Sequence, residues 1–141
     1  MPVRKAEAVW HGSFKEGHGH MMFGEGAFEV DYSAGSRFEE ESGSNPEELL
    51  GASHAGCFSM ALSSELGKLG VTAESIRTTA AVSLEKTDAG FTITSVHLDL
   101  KAKIPGADKE TFEKAANNAK KGCPVSRVLN AEITLDAVLE S

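Results

Sequence analysis

The chain has 141 residues, enough for a buried core without disulfide bonds, and we predict a single domain over residues 1–141. Apolar residues make up 40% and charged residues 25%, as in ordinary globular proteins, and the net charge of −7 argues against a nucleic-acid partner. The sequence shows neither a secretory signal nor a run of roughly 20 apolar residues, so we expect a cytoplasmic protein with no membrane partner.

The N-terminal third is predicted to form strands, because apolar and polar residues alternate around Ala8 and again around Val30. The Gly- and His-rich stretch between them, EGHGHMMFGEG, is predicted to be a turn region. His18 and His20 could form a metal pair on a strand face, but two histidines are a weak signal; we expect a solvated turn and no metal site. A polar loop over residues 33–44 follows and carries Arg37.

A long apolar helix is predicted between Pro46 and Gly70. Proline is favoured at the first helical position, and Glu47 and Glu48 complement the positive end of the helix dipole. Apolar residues recur at helical spacing and also cover the other faces of this segment. A helix that is apolar nearly all round is a buried helix, so we expect it to run through the core.

The second half is predicted to hold a β-hairpin, a helix and a last strand. Alternating residues flank the turn TDAG, and a slip of one in the alternation near Thr94–Ser95 indicates a β-bulge. Asp108 is expected to cap a short helix that ends at Gly122. The predicted fold class is α+β, with antiparallel sheets wrapped around buried central helices.

The two cysteines, Cys57 and Cys123, form neither a CxxC pair nor a zinc-binding pattern. Cys123 stands between Gly122 and Pro124, where it would be the N-cap of a following helix and its thiolate would be stabilised by the helix dipole. Either cysteine could equally be inert, since free cysteine often packs as a small buried apolar residue. Two inert thiols and a redox couple therefore both remain open.

Candidate partners for Cys57 are a cation and a histidine. Arg37 lies in the loop that leads into the apolar helix, and Glu47 could orient its guanidinium toward a thiolate, although the two could also form an ordinary surface ion pair. His54 would neighbour Cys57 on a helix, which suggests a cysteine hydrolase. Such an enzyme needs an oxyanion site and an orienting group, and the sequence shows neither.

Taken together, these motifs resemble the OsmC/Ohr family of thiol-dependent organic hydroperoxide reductases, and within it the OsmC branch. The stretch SRFEEESGSNPEELLGASHAGCFSMALS is similar to the first cysteine block of the family, and AKKGCPVSRVLNAEITLD to the second. TTAAVSLEKTDAGFTITSVHLDL is similar to the hairpin between them, and AVWHGSFKEGHG to the N-terminal part. The resemblance covers nearly the whole chain.

The resemblance implies a role for four residues. Cys57 matches the peroxidatic cysteine, Cys123 the resolving cysteine, Arg37 the active-site arginine of the OsmC branch, and Glu47 the glutamate that holds it. The Ohr branch takes its arginine from nearer the N-terminus, where this chain offers only Arg4. The implied assembly is an intertwined homodimer with two active sites at the subunit interface.

The resemblance also implies a substrate, a reductant and the absence of a cofactor. The substrate would be an organic hydroperoxide, reduced to its alcohol in defence against oxidative stress. A dithiol of the lipoyl type would reset the enzyme, and no metal, haem or flavin is implied. We expect an apolar pocket lined by residues such as Phe58 and Met60 to favour organic peroxides.

The spacing of the predicted site raises a geometric question. Glu47 and Cys57 are ten positions apart, and ten residues of straight helix rise about 15 Å. Either the helix breaks around Gly51–Ser53, or the pair of Arg37 and Glu47 serves a thiol of the partner chain. Two other functions remain open: a dimeric protein that binds an acyl chain or another hydrophobic ligand with inert thiols, and a redox sensor.

Overall fold

The computed structural model describes residues 1–140, which form two compact units, Met1–Leu49 and a second that starts at Leu50. The α+β class is confirmed, since each unit contains a three-stranded sheet together with helical segments. Within residues 1–140, no helix is both long and apolar enough to cross a bilayer. The prediction of one domain over the whole chain stays a prediction.

The sheet of the first unit is antiparallel, in the order β1-β2-β3, with strands β1 (Glu7–His11), β2 (His18–Phe23) and β3 (Phe28–Tyr32). Strand β2 occupies most of the predicted turn region, so that prediction was wrong. Its Gly19 pairs with Trp10 on one side and Tyr32 on the other. A Cβ at Gly19 would come within 2.7 Å of both aromatic rings, so the rings can pack over this position of β2 only if it is glycine.

The polar loop after β3 contains a short helix that was not predicted from the sequence. Helix α1 (Ala34–Phe38) carries Arg37 in its last turn. Ser33 caps it through a hydrogen bond from the backbone N–H of Ser36, and the Ser36 hydroxyl accepts one from the N–H of Ser33. This reciprocal capping stabilises a helix of five residues, which is too short to show an amphipathic pattern.

Helix α2 (Pro46–Lys68) is continuous over 23 residues. From Leu50 onward, one stripe of this helix is buried and the opposite side is exposed in the single chain. The buried stripe comprises Gly51, His54, Phe58, Leu62 and Leu66. Met60, on the other side, is 79% exposed. The expectation of a helix buried on all sides therefore does not hold for one chain.

The sheet of the second unit contains the predicted hairpin of β4 (Ser75–Thr87) and β5 (Gly90–Lys103). The register shifts between Ser83 and Leu84, which face Ser95 and Ile93, so Thr94 is the extra residue of the predicted bulge. The bulge keeps the even-numbered residues that follow on the inner side. Those residues, buried in the core, are Val96, Leu98, Leu100, Ala102 and Ile104.

The last strand, β6 (Glu132–Glu140), pairs with β5 in parallel, which corrects the expectation of purely antiparallel sheets. The reason is the connection: α3 (Lys109–Gly122) and α4 (Pro124–Val128) carry the chain back before β6 starts. A helical crossover of this kind produces parallel neighbours, whereas a tight turn produces antiparallel ones. Asp108 caps α3, as predicted, by accepting a hydrogen bond from the N–H of Thr111 (2.7 Å).

Candidate active site

The two cysteines lie side by side in the second unit. The Cys123 thiol donates a hydrogen bond to the Sγ atom of Cys57, and the two sulfur atoms are 2.8 Å apart. Both are free thiols, Cys123 buried and Cys57 half-buried. Because a disulfide needs sulfur atoms about 2.05 Å apart, a small approach of the side chains would allow the bond to form.

The junction of α3 and α4 places Cys123 at this point. Gly122 is the last residue of α3, and Pro124 is the first residue of α4, as predicted. Cys123 is the N-cap residue of α4, as predicted, but its side chain forms no cap hydrogen bond. The backbone N–H of Val125, in the first turn of α4, instead donates to Cys57. The peptide dipole at Val125 therefore acts on the thiol of Cys57, not on that of Cys123.

The surroundings of Cys57 within the chain favour a protonated thiol. Burial raises the pKa of Cys57 above its ordinary value of 9.0. Cys123 raises it further, through the hydrogen bond and because one thiolate repels another nearby. The Val125 N–H lowers the pKa but does not reverse the shift. A reactive thiolate at neutral pH would therefore need an additional positive charge.

Arg37 and Glu47 form an ion pair in the first unit. The Arg37 Nε–H donates to Glu47 Oε1 at 2.8 Å, with Oε2 at 3.3 Å. The Glu47 side chain is 10% exposed and that of Arg37 32%, so this pair is more enclosed than an ordinary surface ion pair. Within residues 1–140, no acceptor is recorded for the Nη groups of Arg37. The glutamate therefore fixes the guanidinium while leaving N–H donors for another group.

Helix α2 answers part of the geometric question, because it has no break around Gly51–Ser53. Gly51 fits within the helix because it packs against β4, where an added Cβ would lie 3.3 Å from the carbonyl oxygen of Ala80. The glycine therefore serves close packing, and the first of the two alternatives, a break in the helix, does not hold. The alternative, in which Arg37 and Glu47 serve the thiol of a partner chain, remains.

An apolar pocket lies beside Arg37 in the first unit, with a volume of about 310 Å³. Its walls include the aromatic side chains of Trp10, Phe14, Tyr32 and Phe38. The expected lining by Phe58 and Met60 is not found here: Phe58 is fully buried in the core and Met60 is 79% exposed. These aromatic residues were not predicted from the sequence, although the alternation around Ala8 and Val30, which includes Trp10 and Tyr32, gave a partial signal.

His54 is fully buried, and its ring contacts α4. The Nε2 atom lies 2.7 Å from the Ser126 hydroxyl oxygen, and the Nδ1 atom has no hydrogen-bond partner within residues 1–140. Burial lowers the pKa of His54 below its ordinary value of 6.5, so the ring is neutral at pH 7. In the part of the chain that the structure describes, His54 forms no hydrogen bond with Cys57, so this geometry gives no support to a cysteine–histidine hydrolase.

Two clusters in the described part of the chain have donors suitable for a metal: His20 with Glu29 and Asp31, and His97 with Asp99 and Asp136. All four carboxylates are exposed, and both histidines already have hydrogen-bond partners. His18 and His20 share a strand face, with ring centroids 6.1 Å apart, but His18 belongs to neither cluster. Exposed clusters of this kind are common without a metal, and we assign none.

Comparison with solved structures identifies the fold. An OsmC-like protein of Vibrio cholerae aligns with a TM-score of 0.79 at 20% identity, covering 98% of this chain and 100% of the other. An organic hydroperoxide resistance protein OsmC from Legionella pneumophila aligns with a TM-score of 0.72 at 24% identity, covering all of both chains. OhrB of Bacillus subtilis aligns with a TM-score of 0.69 at 23% identity, covering 96% and 98%.

Sequence comparison identifies the family. Peroxiredoxin OsmC of Escherichia coli is 52% identical over 139 residues, covering 98% of this chain and 97% of the relative. Organic hydroperoxide resistance protein-like 1 of Staphylococcus saprophyticus is 30% identical over 120 residues, covering 84% of each chain. The family model described as OsmC-like protein matches residues 39–138, a range that includes Glu47 and both cysteines and begins two positions after Arg37. The chain belongs to the OsmC family, within its OsmC branch.

Proposed function

We propose that this protein is a two-cysteine peroxidase that reduces organic hydroperoxides to alcohols, with Cys57 as the peroxidatic and Cys123 as the resolving thiol. The observation that carries the proposal is the distance of 2.8 Å between the two free sulfur atoms. It is supported by the 52% identity to a protein named Peroxiredoxin OsmC. Defence against oxidative stress is the corresponding cellular role.

The first chemical step takes place at Cys57. Its thiolate attacks the terminal oxygen of ROOH, the O–O bond breaks, and the leaving alkoxide takes a proton to become the alcohol ROH. Cys57 becomes a sulfenic acid. Cys123 then attacks this sulfur atom, the S–OH bond breaks, and the hydroxide leaves with the Cys123 proton as water. The product is a disulfide between Cys57 and Cys123.

An external dithiol closes the cycle. Exchange with the disulfide restores both thiols and leaves the reductant oxidised, so two electrons are supplied for each peroxide. A dithiol of the lipoyl type fits this requirement, because it closes its own disulfide and drives exchange to completion. We place the cycle in a reducing compartment such as the cytoplasm, and it requires no metal, haem or flavin.

Activation of Cys57 is assigned to Arg37 of a partner chain. The pKa of Cys57 is raised by burial within its own chain, so the thiolate needs a cation. Arg37 is held at Nε by Glu47, and among residues 1–140 no group accepts from its Nη atoms, which can therefore donate to a thiolate and to the developing alkoxide. Because α2 does not break, we place this interaction between the two chains of a homodimer.

Exposed apolar side chains support the homodimer. The side of α2 opposite the core presents Met60, which is 79% exposed, and in the first unit Phe28 and Phe14 are 59% and 63% exposed. Single exposed apolar residues are ordinary, but large ones in both units are the kind of surface that association covers. The resemblance to intertwined dimers points to a second copy of this chain as the partner.

The pocket beside Arg37 suits the organic part of the substrate. Its aromatic walls would favour an alkyl or aryl group over the small polar hydrogen peroxide molecule. A ligand-binding protein with inert thiols would also use such a pocket. The contact between the two sulfur atoms favours the peroxidase, since a binding protein has no need for adjacent thiols.

The test is consumption of cumene hydroperoxide with dihydrolipoamide as reductant, measured for wild type, Cys57→Ser and Cys123→Ser. We expect wild-type turnover, no turnover for Cys57→Ser, and for Cys123→Ser a single reaction that stops at the sulfenic acid. Wild-type turnover no faster than that of Cys57→Ser would reject the peroxidase. Binding of a fatty acid by that inactive wild type would then support the ligand-binding function.

A further inference from the structure

A second side-chain contact, a hydrogen bond between α2 and α4, lies beside the contact between the two thiols. His54 lies three residues before Cys57 on α2, and Ser126 lies three residues after Cys123 on α4. The His54 Nε2 atom and the Ser126 Oγ atom are 2.7 Å apart, close to the 2.8 Å between the two sulfur atoms. Helix α2 therefore makes two side-chain contacts here, one with Cys123 just before α4 and one with Ser126 within α4. Only the contact with Cys123 takes part in the proposed chemistry.

The tautomer of His54 follows from its surroundings. If Nε2 carries the proton and donates to Ser126, only a lone pair on Nδ1 lacks a partner. The other tautomer would bury an unpaired N–H, which proteins avoid more strongly. Protonation of both nitrogen atoms would bury that unpaired N–H together with a charge. The neutral ring with its proton on Nε2 therefore fits the site.

Packing alone gives a poor account of a histidine at this position. A buried ring nitrogen without a hydrogen-bond partner destabilises the folded protein, and an apolar side chain of similar size would avoid this cost. The fully buried His54 does provide a directed bond to a helix of only five residues, which has little stability of its own. The bond therefore defines the position of α4 relative to Cys57.

We propose that His54 and Ser126 are positioning residues for disulfide formation. This inference rests on the proposed peroxidase function. When Cys57 becomes a sulfenic acid, the added oxygen displaces the hydrogen bond between the sulfur atoms, and the bond from His54 to Ser126 keeps α4 in place. Cys123 then remains close enough to attack, because disulfide formation depends on alignment.

Slow disulfide formation would have a chemical consequence. A sulfenate that is not resolved can react with a second hydroperoxide, whose O–O bond breaks to give an alcohol and a sulfinate on Cys57. The sulfinate cannot form the disulfide, so the enzyme is inactivated. Loss of the positioning bond should therefore appear as slower disulfide formation and greater sensitivity to excess peroxide.

The test compares Ser126→Ala with Ser126→Thr, which retains the hydroxyl, and with Ser59→Ala as a matched control. Ser59 also lies on α2, and its hydroxyl is 2.7 Å from that of Thr78 on β4. After one equivalent of cumene hydroperoxide, we expect Ser126→Ala to form sulfenic acid at the wild-type rate and the disulfide on the order of tenfold more slowly. Ser126→Thr should restore the rate, and Ser59→Ala should match wild type. With excess hydroperoxide, Ser126→Ala should accumulate more sulfinic acid than wild type or the other two variants.

A second measurement does not depend on peroxide chemistry. Equilibration with oxidised and reduced dithiothreitol gives the effective concentration of Cys123 at Cys57, which we expect Ser126→Ala to lower on the order of tenfold. If wild type fails to react with peroxide, the proposed function fails and this measurement still decides the positioning role. Equal effective concentrations in Ser126→Ala and wild type would overturn that role, as would equal slowing of both chemical steps.

Discussion

The Sγ atoms of Cys57 and Cys123 lie 2.8 Å apart, although the two residues are 66 positions apart in the chain. Cys57 comes from the middle of α2 and Cys123 from the junction between α3 and α4. Only the packing of these helices brings the thiols into contact. The same packing buries Cys57 enough to raise its pKa. The packing that brings the two thiols together therefore does not activate Cys57 as a nucleophile, and another part of the protein must do so.

Replacement of Arg37 should raise the pKa of Cys57 and slow its reaction with peroxide. Removal of a fixed donor that stabilises a developing negative charge typically slows a reaction on the order of a hundredfold, and we expect an effect of this size for Arg37→Ala. The measurement is the ultraviolet absorbance of the thiolate against pH in a Cys123→Ser background, with the rate of sulfenic acid formation. Arg4→Ala, the matched control, removes the same charge near the N-terminus and should change neither quantity. An unchanged pKa and rate in Arg37→Ala would remove this residue from the site.

Mixed dimers should show whether the arginine comes from the partner chain. A dimer of one Cys57→Ser chain and one Arg37→Ala chain should regain about half of the wild-type activity if the sites are shared between chains. It contains one site with both an intact thiol and an intact arginine. Co-expression of the two chains with different affinity tags isolates this dimer for the peroxide assay. Activity no higher than that of the Arg37→Ala homodimer would place thiol and arginine in the same chain.

The two glycines of α2 near Cys57 should respond oppositely to alanine. A Cβ at Gly51 would lie 3.3 Å from the Ala80 carbonyl oxygen and 3.4 Å from Val82, whereas a Cβ at Gly56 meets no atom within 4 Å. We expect Gly51→Ala to lower the free energy of unfolding by about 1 kcal/mol and Gly56→Ala to raise it by about 0.5–1 kcal/mol. Urea denaturation at fixed protein concentration measures both. Stabilisation by Gly51→Ala would contradict the close packing of α2 on β4.

His54 should make stability depend on pH below neutrality. Its pKa is lowered by burial in the folded protein, so below the ordinary value of 6.5 the unfolded chain binds a proton that the folded chain does not. The free energy of unfolding should therefore fall as the pH drops below 6.5, by at most about 1.4 kcal/mol per pH unit. Above this pH, His54 is neutral in both states and has no such effect. In His54→Gln, the free energy of unfolding should fall less steeply from pH 7.5 to pH 5 than in wild type, as measured by denaturation. The same dependence on pH in both proteins would contradict a buried neutral ring.

Much of the local structure was predictable because it depends on neighbouring residues. The alternation along β4 and β5 predicted the hairpin and the bulge at Thr94, and Asp108 predicted the start of α3. Strand β2 was missed because its glycine and histidines favour a turn, whereas the hydrogen bonds that make it a strand come from β1 and β3. Helix α1 was missed because serine hydroxyls stabilise it, without an apolar pattern.

For the site, the sequence by itself determined the two cysteine contexts, the arginine and the glutamate, since these are short motifs that the resemblance assigns residue by residue. Tertiary structure alone decided that the two sulfur atoms are in contact, that α2 does not break, and that His54 is hydrogen-bonded to Ser126. It also decided that β6 runs parallel to β5. Each of these depends on contacts between distant parts of the chain, whose distances and directions arise only when the elements pack together.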